Sequence, residues 1–200
     1  MTTDTGATIT IPLDIPGIRI ISTQTKSEGR IFIEVESLDE QVKCGVCGQE
    51  IMCNYGVGEL KEIRHLPILG RETIVCIRPK RGQCFNCPTH PRTTQLLEWY
   101  EAKSPHTKAY DRYLMKLLIG STIEEVSLKE QVGYDAILGA LKREVSTEVK
   151  WEEIEEIGTI GIDEIALKKG KRHYAAVITA RQKGGKIQIL GILEERKKKG

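Results

Sequence analysis

Two hundred residues, 40% hydrophobic and 29% charged, suffice for one ordinary domain or two or three small ones and exclude a wholly disordered chain. Aromatic residues make up only 5%, which predicts several small cores of Ile, Leu and Val. Thirty basic and twenty-eight acidic residues leave a net charge of +2, so the placement of charge is more informative than its sum. The longest apolar runs, such as Tyr174 to Ala180, fall far short of the roughly 20 residues of a membrane span. Met1 to Gly6 lacks the basic start and apolar stretch of a secretory signal. These features predict a cytoplasmic protein with no membrane partner.

In chain order, Ile18 to Ile21 and Arg30 to Val35 read as a pair of strands without an evident function. The cysteines follow. Four of the six form two CxxC pairs, Cys44/Cys47 and Cys84/Cys87. In a reducing compartment such pairs point to metal or redox chemistry rather than to disulfides. Two sulfurs of one turn can reach a single tetrahedral Zn2+, and Gly45, Gly48 and Gly82 supply pliant backbone around them. Free thiols remain the alternative. A thioredoxin-like site is disfavoured, because neither pair sits at a strand-to-helix turn. The gap between the pairs is longer than in a compact zinc ribbon. Strands at Ile51 to Tyr55 and Glu72 to Arg78 fill it, with Arg64-His65-Leu66-Pro67 connecting them. Cys53 and Cys76 read as small buried hydrophobes, and His65 and His90 are substitute ligands at most.

No acid occurs from Thr73 to Leu97, whereas Arg78, Lys80, Arg81 and Arg92 do. Acids gather instead at Glu148, Glu152, Glu153, Glu155 and Glu156, and the chain closes with Arg196 to Lys199. This zoning is either a set of solvated faces or a local basic surface for a polyanion.

From Pro105 the apolar period lengthens. Tyr110, Tyr113, Leu114, Leu117 and Leu118 mark a first helix, and Ser121 or Thr122 caps a second with Ile123, Val126 and Leu128 on its inner face. A third helix follows Gly133 through Ile137, Leu138, Leu141 and Val145. Read as a helix-turn-helix, this places Tyr134 and Asp135 at the bases and Lys129, Lys142 and Arg143 near phosphates. A plain three-helix bundle fits the same pattern.

Acidic residues with a packed Trp151 then lead to three strand-like runs, Thr159 to Glu164, Arg172 to Ala180 and Lys186 to Leu193. Lys168 to Lys171 and Lys183 to Gly185 read as the hairpin turns between them. Such a meander opens a ribonuclease-H-like fold. Asp163, at the end of a buried strand, is either a turn cap or a carboxylate whose burial a divalent ion offsets.

The order double CxxC, helix-turn-helix, then Gly161-Ile162-Asp163-Glu164 opening a meander resembles the ISL-three family of bacterial insertion-sequence DDE transposases. Local matches include Cys44-Gly45-Val46-Cys47-Gly48, Arg81-Gly82-Gln83-Cys84-Phe85-Asn86-Cys87, the stretch from Gly161 to Gly170, and Tyr174-Ala175-Ala176-Val177-Ile178-Thr179. The resemblance covers roughly Val42 to Arg196. Together with the strands that precede it, the chain is expected to be α+β: a β-rich zinc-binding region over 1–98, a helix-turn-helix over 104–148, and the opening meander of an incomplete ribonuclease-H-like domain over 157–200.

The resemblance implies that Cys44, Cys47, Cys84 and Cys87 hold structural Zn2+, and that Asp163 is the first carboxylate of a site for Mg2+ or Mn2+ in the complete catalytic domain. The partner it implies is double-stranded DNA at the terminal inverted repeats of an element. Arg78, Lys80, Arg81, Lys129, Tyr134, Lys142 and Arg143 are the candidate contacts. The complete protein is expected to be a homo-oligomer in a bacterial or archaeal cytoplasm, associated with the nucleoid. Because the family's second Asp and its Glu lie beyond the third strand, the 200-residue chain is expected to be a truncated, catalytically incomplete transposase. A zinc-dependent DNA-binding regulator without catalysis is the alternative, and a decayed remnant a third.

Overall fold

The structure is a computed structural model describing residues 10–26, 28–146, 148–154, 156–166 and 174–194. Two compact units divide the chain, Met1–Glu144 and Val145–Gly200.

The first unit begins with eight strands: β1 (Ile18–Thr25), β2 (Ile31–Ser37), β3 (Gln41–Lys43), β4 (Glu50–Met52), β5 (Lys61–Ile68), β6 (Arg71–Ile77), β7 (Arg81–Gln83) and β8 (Arg92–Thr94). Four form one sheet in the order β1-β2-β6-β5, in which β2 and β6 run parallel and the other pairs antiparallel. Alternation decides its inner face: Ile33 and Val35, Ile63, Val75 and Ile77 point one way and are buried together. Leu97 and Trp99, arriving after β8, cover that face, with Leu13 and Ile15 at its margin.

Arg64-His65-Leu66-Pro67 is not a connection between strands but part of β5. Ile63 and His65 follow the two-residue period into the interior. Pro67 falls in the break of register between His65 and Ile68 of the edge strand β5, where no ladder donor is required. A tight turn through Leu69 and Gly70, both with positive φ, returns the chain into β6. The other four strands form two small hairpins, β3–β4 and β7–β8. The expected strand at Ile51 to Tyr55 is shorter, ending at Met52, and Cys53 lies just beyond it and half-buried.

Three helices complete this unit: α1 (Lys108–Leu117), α2 (Ile123–Glu130) and α3 (Tyr134–Glu144). Thr107 caps α1 by accepting from the Tyr110 amide. Thr122, not Ser121, caps α2 through a reciprocal box with Glu125. Tyr110, Leu114, Val126, Val132, Ile137 and Ala140 form the core between them. Leu128, expected inside, is exposed, because the α2 core is made by Val126 with Ile123 beside it.

Sheet and helices are joined at β5. The Arg64 amide donates to the Pro105 carbonyl and the Thr107 amide to the Arg64 carbonyl, each at 2.9 Å. The Arg64 guanidinium lies 5.1 Å from the centre of the Tyr110 ring and pairs with Glu72 and Glu130. Glu130 in turn accepts from the hydroxyls of Tyr110 and Tyr113. His65, buried on the same strand, hydrogen-bonds Thr107 and the Leu13 carbonyl.

The second unit holds a 3-10 turn at Trp151–Glu153 and three antiparallel strands, β9 (Ile157–Ala166), β10 (Tyr174–Gln182) and β11 (Ile187–Glu194), in the order β11-β10-β9. Trp151 is exposed rather than packed. Every residue of β9 is exposed too, so its apolar pattern does not mean burial here. The expected turn at Lys168 to Lys171 and the basic run Arg196 to Lys199 lie outside the described residues.

Candidate metal centre and nucleic-acid surface

The two CxxC turns come together although 36 residues separate them in the sequence. Cys44 ends the approach of β3 and Cys47 precedes β4, while Cys84 follows β7. Gly82 makes the approach possible: a Cβ there would stand 2.6 Å from the Val42 side chain and 2.8 Å from the Met52 carbonyl oxygen. The four sulfurs lie within 4.8 Å of one another. Cys44 and Cys87 are 3.9 Å apart, Cys47 and Cys84 3.8 Å, and Cys84 and Cys87 3.7 Å. Four sulfurs at the ~2.3 Å zinc–sulfur distance on a tetrahedron would be separated by about 3.8 Å. The donor set and its spacing therefore fit a tetrahedral thiolate metal such as zinc, and no disulfide joins any of the six cysteines.

The protonation chemistry points the same way. Backbone amides of Cys47 and Val46 favour the Cys44 thiolate and lower its pKa to about 6. At Cys87 the neighbouring sulfurs, Cys47 first, and burial push the thiol up to about 12. Four clustered thiols resist shedding every proton unless a cation replaces them. His65 and His90 stand outside the cluster: His65 is engaged with Thr107 and Leu13, and His90 packs on Phe85 with ring centres 5.6 Å apart. Cys76 is buried in β6, and burial raises its thiol and that of Cys53.

The candidate DNA residues fall into separate places. Arg78 is exposed after β6, and Lys80 is ion-paired with Glu40. Arg81, half-buried on β7, lies over Tyr55 at 5.7 Å. Arg92 lies over the same ring at 4.2 Å. The β7–β8 register pairs Arg81 with Thr94 and Gln83 with Arg92. Gly82 faces the β3–β4 hairpin, so these four residues share the opposite face. The acid-free stretch hinted at this face in the sequence, but strands of three residues are too short for periodicity to reveal it.

On the helices, α2 and α3 are joined by Gln131, Val132 and Gly133, with Gln131 in the left-handed conformation that ends α2. Tyr134 and Asp135 are exposed in the first turn of α3. Lys142 is exposed, and exposed Lys129 donates to the Ser121 hydroxyl. Arg143 differs from the expectation: its guanidinium grips Asp111 through Nε at 2.8 Å and Nη2 at 3.1 Å. Asp111 is buried and also bonded to His106 at 3.0 Å. Burial opposes its ionisation, but the bonds from His106 and Arg143 prevail and hold its carboxyl below the ordinary range. Removing Arg143 from this pair would strand a buried charge, so it is a clasp between α1 and α3 rather than a free phosphate ligand.

Asp163 lies within β9, not at its end, and is exposed. Its carboxylate accepts from the Glu164 amide. Among the described residues, the four cysteines are the only group of three or more side chains placed to hold a metal ion. Asp163 by itself does not make a divalent-ion site. No helix of the described residues is long and apolar enough to cross a membrane.

Over 139 residues the chain is 26% identical to the transposases for insertion sequence element IS1557 of two Mycobacterium tuberculosis strains, CDC 1551 / Oshkosh and ATCC 25618 / H37Rv. The matched stretch is 68% of this chain and 30% of each relative. The similarity is distant, and the matched stretch spans less than a third of these transposases. No family model matches the chain, and no solved structure matches it.

Proposed function

We propose that this chain is the DNA-end-binding portion of an insertion-sequence transposase, followed by the first strands of its catalytic domain. The observation that carries the reading is the similarity over 139 residues to transposases of an insertion sequence. On this reading the four cysteines hold structural zinc, and α2 and α3 act as a helix-turn-helix with Tyr134 and Asp135 presented to base edges. Lys129 and Lys142 neutralise phosphates, which fixes the register of α3 without reading sequence. The ISL-three resemblance assigns Asp163 as the first carboxylate of a two-metal strand-transfer site in the complete protein. The partner is double-stranded DNA at the terminal inverted repeats.

Duplexes carrying the sequences that flank this gene test the reading, with the zinc-loaded chain as binder. Specific binding is expected, with Tyr134→Ala relaxing sequence preference and Lys142→Ala lowering the salt slope by about one. Flanking sequence bound no more tightly than unrelated DNA would overturn it. Asp163 is exposed and belongs to no group of three metal-holding side chains among the described residues, which favours a second reading, a zinc-dependent DNA-binding regulator. Neither reading expects Mg2+-dependent nicking by these 200 residues; the regulator requires specific binding that survives deletion of residues 152–200, and binding lost with that deletion excludes it.

A further inference from the structure

The second CxxC turn carries an aromatic side chain that the metal centre does not use. Phe85, between Cys84 and Cys87, is 65% exposed, and its ring rests against His90 at a 54° tilt. A lone exposed apolar residue needs no explanation, but this one belongs to a constructed surface. His90 is held with a positive φ of 43° by its amide bond to the Cys87 carbonyl, and its own carbonyl accepts from Gln83. Gln83 stands opposite Arg92, whose guanidinium lies over Tyr55 beside that of Arg81. Phe85, His90, Gln83, Arg92, Tyr55 and Arg81 thus form one connected surface of rings and cations, most of it within the acid-free stretch 73–97.

We propose that this surface binds single-stranded DNA, with one unpaired base stacked on Phe85 and the adjoining phosphates on Arg92 and Arg81. The proposal rests on the reading of the chain as a DNA-binding protein and adds a second, unpaired form of DNA to its duplex partner. The chemistry separates the two forms. In a duplex the faces of the bases are already stacked, and a phenyl ring offers a groove neither a donor nor an acceptor. An unpaired base has a free π-face, and stacking on an aromatic side chain is indifferent to base identity. Arginines held over a tyrosine are already oriented for phosphates, so less side-chain freedom is lost on binding. The four-cysteine centre makes the platform rigid, because Phe85 sits between two of its sulfurs.

The test is fluorescence anisotropy of the zinc-loaded full chain with a twelve-nucleotide oligo(dT) and, separately, with the duplex that carries its flanking repeat. Phe85→Ala is expected to weaken oligo(dT) binding roughly tenfold or more, with zinc content and duplex affinity unchanged. Arg92→Ala is expected to weaken it too and to flatten its salt dependence. Absence of oligo(dT) binding, or binding indifferent to Phe85→Ala, overturns the proposal. So does an equal loss on both DNA forms, which would make Phe85 a duplex contact. Failure of the duplex reading shows separately, as loss of preference for the flanking repeat and indifference to Tyr134→Ala.

Discussion

The sheet of the first unit and the meander of the second are written in the same residues, mainly Ile and Val. Their fates differ. Ile77 in β6 is fully buried, whereas Ile162 in β9 is 72% exposed and Ile192 in β11 is 59% exposed. The first sheet receives a second layer from Leu97 and Trp99, and its β5 edge is tied to α1 through Arg64 and Thr107. Among the described residues the second unit has a 3-10 turn beside its three strands. A strand pattern encodes which residues share a face; whether that face is dry depends on what the rest of the chain lays over it.

The largest expected effect concerns the metal centre, the other interior of the first unit. Cys84→Ser should release the metal and unfold the two small hairpins, since structural zinc contributes roughly 10 kcal/mol or more of apparent folding free energy. Metal analysis with circular dichroism checks this, and a fully loaded variant would contradict a four-thiolate site. Next comes the direct comparison of the two sheets. Ile77→Ala should cost about 2–5 kcal/mol in denaturant unfolding, whereas Ile162→Ala should change stability by about 0.5 kcal/mol or less. Equal losses would mean that the meander buries its faces in solution.

The helical core depends on its polar clasp. Asp111→Asn should cost about 2 kcal/mol by weakening charged bonds to His106 and Arg143, read as a fall in the denaturation midpoint. His65 sharpens the same comparison by pH. Burial, only partly opposed by its bond to Leu13 and by Asp14, lowers its pKa in the fold. The unfolded chain therefore takes up a proton that the folded chain resists, so this contribution is complete above about pH 6.5 and shrinks as pH falls through the lowered value. His65→Gln should flatten the change in thermal midpoint between pH 7.5 and pH 5.5. A slope equal to that of the parent would remove His65 from the account. The smallest effect is at the surface, where Thr122→Ala should cost about 1 kcal/mol through loss of the α2 capping box, measured by thermal unfolding.

Much of this was legible locally. The CxxC pairs announce their own partnership because ligand chemistry depends on residue type and short spacing, and the α2 cap and the apolar stripes of the three helices are readable because helices are made of near neighbours. Apolar character alone does not decide burial: Leu128, Trp151 and the residues of β9 read as inward-facing in the sequence, and each is exposed. The strand at Arg64 to Ile68 is hidden by Pro67, which the break of register on the edge strand β5 accommodates.

The sequence by itself determined the four thiols, the presence and order of the three helices, the strand pairing near the N-terminus and the three strands of the meander, since each follows from contacts between near neighbours or from ligand type. Only the tertiary structure decided that Arg143 is spent on Asp111, that Arg81 and Arg92 meet over Tyr55, and that Arg64 bolts the sheet to the helices. Those outcomes bring together residues from 26 to 43 positions apart, and a cation bears no mark in the sequence of whether it will find a carboxylate, a ring or a phosphate.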